Sequence, residues 1–318
     1  MAKRAAATRR KLLRVVIYTV LGGLLLWLIL RQQASLEQAL KAIQRANMGW
    51  LAVGIVAMLV SLPAAALVYH SLAVKPLLFV RTVFVQAAGF CVNKLLPSGS
   101  GAAGTSFLYL RANRMTTAEA APIVVLNNLL GFAGHFILFW ILLLIQPSVV
   151  TVLQIHDDSL AKGVELLLVA ILLLTGLGIV LRAKLSRFIE QLMPVLNRPA
   201  ALTKALLASM GITLCYVVSL YASARAVGVD LSLAGAIIAL SGSVLATSVV
   251  PTPGGIGAAE IGAYGGLIAL GVDAKLALAA ALLYRVCTFW LPLAFGSIAF
   301  FVVVRRGYLR PAKASASH

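Results

Sequence analysis

Charged residues are scarce in this chain, and acidic residues are the scarcest. Only 11% of its 318 residues are charged and 61% are hydrophobic, whereas soluble domains carry roughly 25% charged residues. This composition excludes a soluble globular enzyme and indicates a polytopic membrane protein. The 27 Lys and Arg against 9 Asp and Glu do not indicate nucleic-acid binding, because no polar stretch is long enough to fold as a basic domain.

The chain has only three cysteines and lacks the common catalytic motifs. Cys91, Cys215 and Cys287 are scattered within apolar runs and are not closely paired, so we predict neither a disulfide framework nor a metal site. The chain has no HExxH motif, no nucleophile elbow and no DxD pair, and no Lys-Ser/Thr follows its glycine-rich segments as a nucleotide-binding loop requires. We therefore predict no catalytic residue and no cofactor.

Long apolar runs make up most of the chain. About 20 apolar residues cross the hydrocarbon of a bilayer, and six runs reach that length. They are 12–30, 50–72, 120–145, 164–181, 206–226 and 276–304. The basic residues 1–11 precede the first run, which no cleavage site follows, so we expect it to be retained as a span. We predict an all-α polytopic membrane protein with a single transmembrane domain over residues 1–318.

Two further apolar segments, 77–110 and 233–270, are interrupted by proline and glycine. The interruptions read LLPSGSG at 95–101 and VVPTPGGIG at 249–257. Non-helical backbone at bilayer depth persists only where protein buries it or where it lines a polar cavity. We predict that each segment is a re-entrant helical hairpin beside a substrate site. The alternative is two full spans per segment, which gives about ten spans in all.

The interrupted segments occupy corresponding places in the two halves of the chain. An offset of 154 residues, increased to 157 after a gap of three, aligns the halves. The alignment pairs Pro97 with Pro251, Gly101 with Gly255, Thr116 with Asp273 and Asn128 with Arg285. Three full spans separate the two hairpins, so the hairpins enter from opposite faces. We therefore predict inverted repeats with cores at 77–145 and 232–304.

Basic residues set the expected orientation. Most of the 27 Lys and Arg fall on one side of this layout, the side that holds both termini, so the N-terminus and the tail 305–318 are predicted to be cytoplasmic. Segments 35–46 and 182–202 have the pattern of amphipathic helices that lie on the membrane surface.

Three charged residues fall at membrane depth: Lys94, Glu260 and Arg285. Because a charge within the bilayer is costly, Arg285 should pair with Glu260 or with a ligand phosphate. The alternatives are a structural Glu260 that bonds the exposed amides of the break, and an Arg285 that extends to the interface. His135, Trp140 and Trp290 are expected to be packed core or interface residues. Gly262 and Gly266 have the spacing of a close helix contact.

The interruptions also predict anion-binding helix ends. Ser100 is a candidate N-cap and Pro253 a candidate first helical residue, and the free N–H groups of a helix N-terminus attract anions. The predicted substrate-binding residues are Asn93, Lys94, Pro97, Ser98, Gly99, Ser100, Gly101, Pro251, Pro253, Gly254, Gly255, Gly257, Glu260, Tyr284 and Arg285.

The segments NKLLPSG at 93–99 and PTPGGIGAAE at 251–260 resemble the transmembrane region of the lysylphosphatidylglycerol synthase family. The resemblance implies a bacterial cytoplasmic-membrane domain that translocates lipid between leaflets. In longer members aminoacyl transfer resides in a separate cytosolic domain, so we expect no synthesis of lysyl-lipid by this chain. Asn127-Asn128 stands where many relatives have Glu-Arg.

Three functional hypotheses follow. The first is a flippase-like translocase of an anionic phospholipid or a prenyl-phosphate carrier, downhill or ion-coupled because no ATP motif is present. The second is an integral-membrane enzyme or subunit that modifies a lipid carrier or envelope glycolipid, with envelope-biosynthesis enzymes as partners. The third is a scaffold without transport.

Overall fold

A computed structural model describes residues 46–96, 100–149, 195–250 and 252–310, together with residues 41, 44 and 193. Every regular element in this part of the chain is a helix, as predicted. The helices are α1 (Met48–Leu72), α2 (Phe79–Leu95), α3 (Ser100–Ala112), α4 (Thr117–Ile145), α5 (Pro199–Ala226), α6 (Leu233–Val249), α7 (Ala258–Ala269), α8 (Ala274–Arg285) and α9 (Leu291–Arg305). A 3₁₀ turn at Pro253–Gly255 precedes α7, and a π-helical segment at Val286–Trp290 joins α8 to α9.

Four helices are long and apolar enough to cross a membrane: α1, α4, α5 and the continuous helix Ala274–Arg305. They correspond to four of the six predicted spans. The predicted spans 12–30 and 164–181 lie outside the described residues, as do residues 1–11, nearly all of segment 35–46 and residues 311–318. Segment 182–202 was predicted to be a helix on the membrane surface. That prediction was wrong for residues 199–202, which belong to the long helix α5 that begins at Pro199.

Polar side chains fix where several helices begin. Asn47 Oδ1 accepts a hydrogen bond of 2.9 Å from the Gly49 amide at the start of α1. Thr116 and Glu119 form a capping box at the start of α4, and Asp273 Oδ1 caps α8 at 2.9 Å from the Lys275 amide. Thr116 and Asp273 are the pair that the repeat alignment equates, so the two long helices begin in the same way.

Both interrupted segments form antiparallel helical hairpins. In the first, α2 packs on α3 and the Gln86 amide donates to Ser106 Oγ at 3.3 Å. In the second, α6 packs on α7 through Gly242, Gly262 and Gly266, as the glycine spacing predicted. A Cβ at Gly262 or Gly266 would overlap the main chain of α6, so these helices approach at backbone distance.

The helix bounds reproduce the predicted offset between the halves. Phe79–Leu95 and Leu233–Val249 are separated by 154 residues at both ends, and Thr117 and Ala274 by 157. The correspondence extends to α1 and α5, whose last residues, Leu72 and Ala226, are also 154 apart. Each half is therefore a long helix, a hairpin and a second long helix.

The corresponding helices α1 and α5 run antiparallel. The Asn47 amide at the start of α1 donates to the Ala226 carbonyl at the end of α5, at 2.8 Å. At the other end, Arg198 Nη1 donates to the Ala73 carbonyl at 3.1 Å. Equivalent long helices of the two halves therefore run in opposite directions, as inverted repeats require.

Basic residues that were predicted to be cytoplasmic gather at the Ala73 end of α1. Lys75 lies 3.5 Å from Glu119 and donates to the Arg114 carbonyl, and the Arg81 guanidinium lies 5.3 Å from the centre of the Tyr308 ring. This end is the base of the first hairpin. The base of the second hairpin lies at the opposite end of the helices.

Candidate functional site

The two interruptions line one cavity of about 870 Å³, which α2 and helices α4 to α8 surround. Leu96 belongs to the first interruption, and Asn93 and Lys94 lie just before it at the end of α2. Gly254 and Gly255 belong to the second interruption. A cavity of this size accommodates a ligand of several hundred daltons. Segments that are 154 residues apart in sequence thus contribute to the same cavity.

Gly254 brings the two interruptions into direct contact. Its φ of +62° is in the left-handed region, where a side chain is strained. A Cβ at this position would lie 2.9 Å from the Lys94 carbonyl oxygen and 2.6 Å from the Phe289 ring. Only glycine allows the second interruption to pack this closely against the end of α2.

Arg285 is the most deeply placed charged residue of the site, with 5% of its surface exposed. Its Nε donates to Glu260 Oε1 at 2.9 Å and its Nη2 donates to the Gly254 carbonyl at 3.2 Å. At 1.5 Å per residue it lies about 17 Å along the helix from Ala274 and about 30 Å from Arg305. The predicted pairing with Glu260 is present, and Arg285 does not extend to an interface.

Lys94 and Arg285 share an aromatic neighbour. The Phe289 ring centre lies 5.8 Å from Lys94 Nζ and 4.5 Å from the Arg285 guanidinium carbon. Such placement favours a cation through the ring quadrupole. Lys94 makes no ion pair with any described residue. Two cations therefore border the cavity, while one carboxylate, Glu260, is bonded to Arg285.

The helix changes its hydrogen-bonding pattern directly after Arg285. The π-helical segment Val286–Trp290 interrupts an otherwise continuous span, and π segments recur at functional sites. Thr288 Oγ1 donates to the Tyr284 carbonyl at 2.8 Å, within this irregular stretch. Arg285 directly precedes the irregularity and Phe289 lies within it, so it helps to direct both side chains toward the interruption of the second hairpin.

The cavity also has an apolar edge. Phe132 and Phe136 on α4 and Leu245 on α6 line it, with 74%, 55% and 66% of their surfaces exposed. A ligand here would meet cations on one part of its surface and hydrocarbon on another. This pattern suits an amphipathic molecule.

The model of the family described as "Lysylphosphatidylglycerol synthase TM region" matches residues 11–296. The chain belongs to this family. Membership, together with the four apolar spans, identifies a membrane protein connected with lipids. No protein of curated function matches the chain.

Six residues of the predicted site line the cavity of this family member. They are Asn93, Lys94, Gly254, Gly255, Tyr284 and Arg285. Asn93 Oδ1 is buried and accepts no hydrogen bond from any described residue, which leaves it available to a donor. Four predicted residues, Pro97, Ser98, Gly99 and Pro251, lie outside the described residues.

The other five predicted residues support the site without lining the cavity. Ser100 is the first residue of α3, one position inside the cap predicted for it, and Gly101 packs on the Val92 main chain. Pro253 opens a 3₁₀ turn, since α7 itself begins only at Ala258. Gly257 precedes α7 with φ +78°, and Glu260 in its first turn holds Arg285.

Sequence reasoning missed Phe289 and assigned His135 to packed core. His135 in fact lines the cavity, and its Nε2 lies 3.1 Å from Ser241 Oγ. His135 and Ser241 are 106 residues apart, and only the packing of α4 on α6 brings them together. The histidine itself, within an apolar span, was the available signal.

Proposed function

We propose that this protein moves an anionic lipid, a phospholipid or a prenyl-phosphate carrier, between the leaflets of the cytoplasmic membrane. The observation that carries the proposal is the meeting of both interruptions at one cavity with cations inside and an apolar edge. Lys94 and Arg285 would hold the phosphate, and the tails would lie along Phe132, Phe136 and Leu245. Family membership supports the connection with lipid.

In this proposal both hairpins are re-entrant. At 1.5 Å per residue, α2 is about 25 Å long and α3 about 20 Å, shorter than the roughly 30 Å of hydrocarbon. The antiparallel α1 and α5 support entry of the two hairpins from opposite faces. Both termini would lie in the cytoplasm, and alternate opening beside each hairpin would expose the cavity to one leaflet at a time.

The proposed role involves no covalent step. Arg285 can present its remaining N–H groups to a phosphate while Glu260 and the Gly254 carbonyl fix its position. Lys94 adds a second, mobile donor. Transport would run down a lipid gradient or be driven by an ion, and envelope enzymes that produce or consume the lipid would be its partners.

Lipid exchange in vesicles tests the proposal. The purified protein is reconstituted with phosphatidylglycerol that carries a fluorophore on one acyl chain, and dithionite quenches the outer-leaflet fluorophore. Lys94→Gln should slow exchange about tenfold or more, because a charge-assisted hydrogen bond contributes about 1.5–3 kcal/mol. Lys275→Gln is the control, since Lys275 is exposed at the start of α8, away from the cavity. Equal rates for the two variants would contradict the proposed phosphate site.

A further inference from the structure

Nine side chains with a hydroxyl group line the cavity. Six of them, which we call the hydroxyl wall, donate to a main-chain carbonyl at 2.8 to 3.4 Å. They are Thr213, Ser241, Thr247, Ser248, Thr252 and Thr288. A hydroxyl has one proton and two lone pairs, so each of these oxygens presents only acceptor capacity to the cavity.

Ser241 shows this arrangement most directly. It donates to the Ile237 carbonyl at 2.8 Å, and its oxygen lies 3.1 Å from His135 Nε2. With its proton directed to the carbonyl, this oxygen can accept a hydrogen bond from a neighbouring donor. The same capacity is open to a donor on a ligand.

The charges that face the cavity have one sign. Among the described residues, the charged side chains that line it are Lys94 and Arg285, and no carboxylate does. Glu260 is next to the site, but its Oε1 accepts the Nε hydrogen bond of Arg285 and the residue is not part of the lining. An ammonium group that entered would meet two cations, and like-charge contacts cost several kcal/mol.

We infer that the cavity selects lipids whose phosphate carries an uncharged polyhydroxyl group, such as glycerol, inositol or a sugar, and rejects headgroups with an amine. This inference rests on the proposed function and specifies its substrate class. The cations take the phosphate, which only accepts hydrogen bonds. The hydroxyl wall takes the alcohol groups, which donate. Each chemical half of the headgroup thus meets the complementary part of the wall.

The dithionite assay tests selectivity directly when the fluorophore stays on the acyl chain and the headgroup varies. Phosphatidylglycerol and phosphatidylinositol should exchange at least about tenfold faster than phosphatidylethanolamine and lysyl-phosphatidylglycerol, a ratio typical of differential hydrogen bonding and charge. Equal or faster exchange of the two amine-bearing lipids would overturn the inference.

Two variants of Ser248 distinguish the contribution of the hydroxyl wall from that of the cations. Ser248→Ala removes one exposed hydrogen-bond acceptor and should slow the exchange of phosphatidylinositol about two- to tenfold. Phosphatidic acid, which lacks a polyol, should exchange at an unchanged rate. Ser248→Asp adds a carboxylate and should speed exchange of lysyl-phosphatidylglycerol. The control is Ser297→Ala, since Ser297 donates to the Ala294 carbonyl in the same way but lies outside the cavity. The inference is wrong if Ser248→Ala slows phosphatidic acid equally or if Ser248→Asp leaves the lysyl-lipid unchanged.

Failure of the inference and failure of the proposed function give different results. If no lipid exchanges faster than in protein-free vesicles, translocation itself is refuted, and the inference with it. If every lipid exchanges at the same raised rate, translocation stands and headgroup selection is refuted.

Discussion

Replacing Glu260 with Gln should destabilise the protein by about 3 kcal/mol. Glu260 and Arg285 have side-chain exposures of 13% and 6%, and their atoms lie 2.9 Å apart. Removing one member of a buried pair typically costs about 3–5 kcal/mol, because the other charge is left without compensation. Arg285 would keep the Gly254 carbonyl and the Phe289 ring, so we expect the lower end of that range.

A double-mutant cycle distinguishes this effect from simple loss of packing. Arg285→Met together with Glu260→Gln removes the isolated charge, so the double variant should be more stable than the sum of the single effects by about 2 kcal/mol. Unfolding by SDS in mixed micelles, followed by the fluorescence of the four tryptophans, measures each free energy. Asp230→Asn is the control, since Asp230 is 88% exposed in its pair with Arg225 and should show no resolvable change. Strictly additive single effects would refute the argument.

Two further predictions concern the second hairpin and the orientation of the repeats. Gly266→Ala places a Cβ 2.5 Å from Ala239 Cα and should cost about 1–3 kcal/mol in the same unfolding assay, whereas Gly265→Ala, with no atom within 4 Å, should be neutral or slightly stabilising. A loss at Gly265 as large as that at Gly266 would contradict the close packing of α6 on α7. Thr117→Cys and Ala274→Cys, at equivalent exposed starts of long helices, should react with an impermeant maleimide from the cytoplasmic and the external side respectively. Labelling of both from one side would refute the inverted arrangement in the membrane.

Hydropathy and the proline and glycine positions predicted much of the described fold. The span predicted at 50–72 is Met48–Leu72, and the hairpin helices end where the interruptions begin. These features are local, since a helix in a bilayer must be apolar and continuous. The exact starts depend on capping side chains such as Asn47 and Thr116, which extend the helices beyond their apolar runs.

The ion pair of the site was predictable and its surroundings were not. Glu260 and Arg285 both fall within apolar sequence, where each needs a partner, so their pairing followed from the cost of burial. The contacts of Phe289 with both cations and the bond between His135 and Ser241 depend on how distant helices pack. A histidine in a span can indicate a functional residue, but neither it nor an aromatic residue shows which distant helix it packs against.

The glycine contacts between α6 and α7 determine how the second hairpin can move. Helices that touch main chain to main chain cannot slide or separate without opening a void, so the pair has to swing as one rigid arm. The chain enters this arm after Gly228 and leaves it through Gly271, which have φ of +84° and +78° and where a Cβ would meet no atom within 4 Å. A swing of the arm would therefore bend the backbone near these two glycines and would have to break the bonds of Arg285 to Glu260 and to the Gly254 carbonyl.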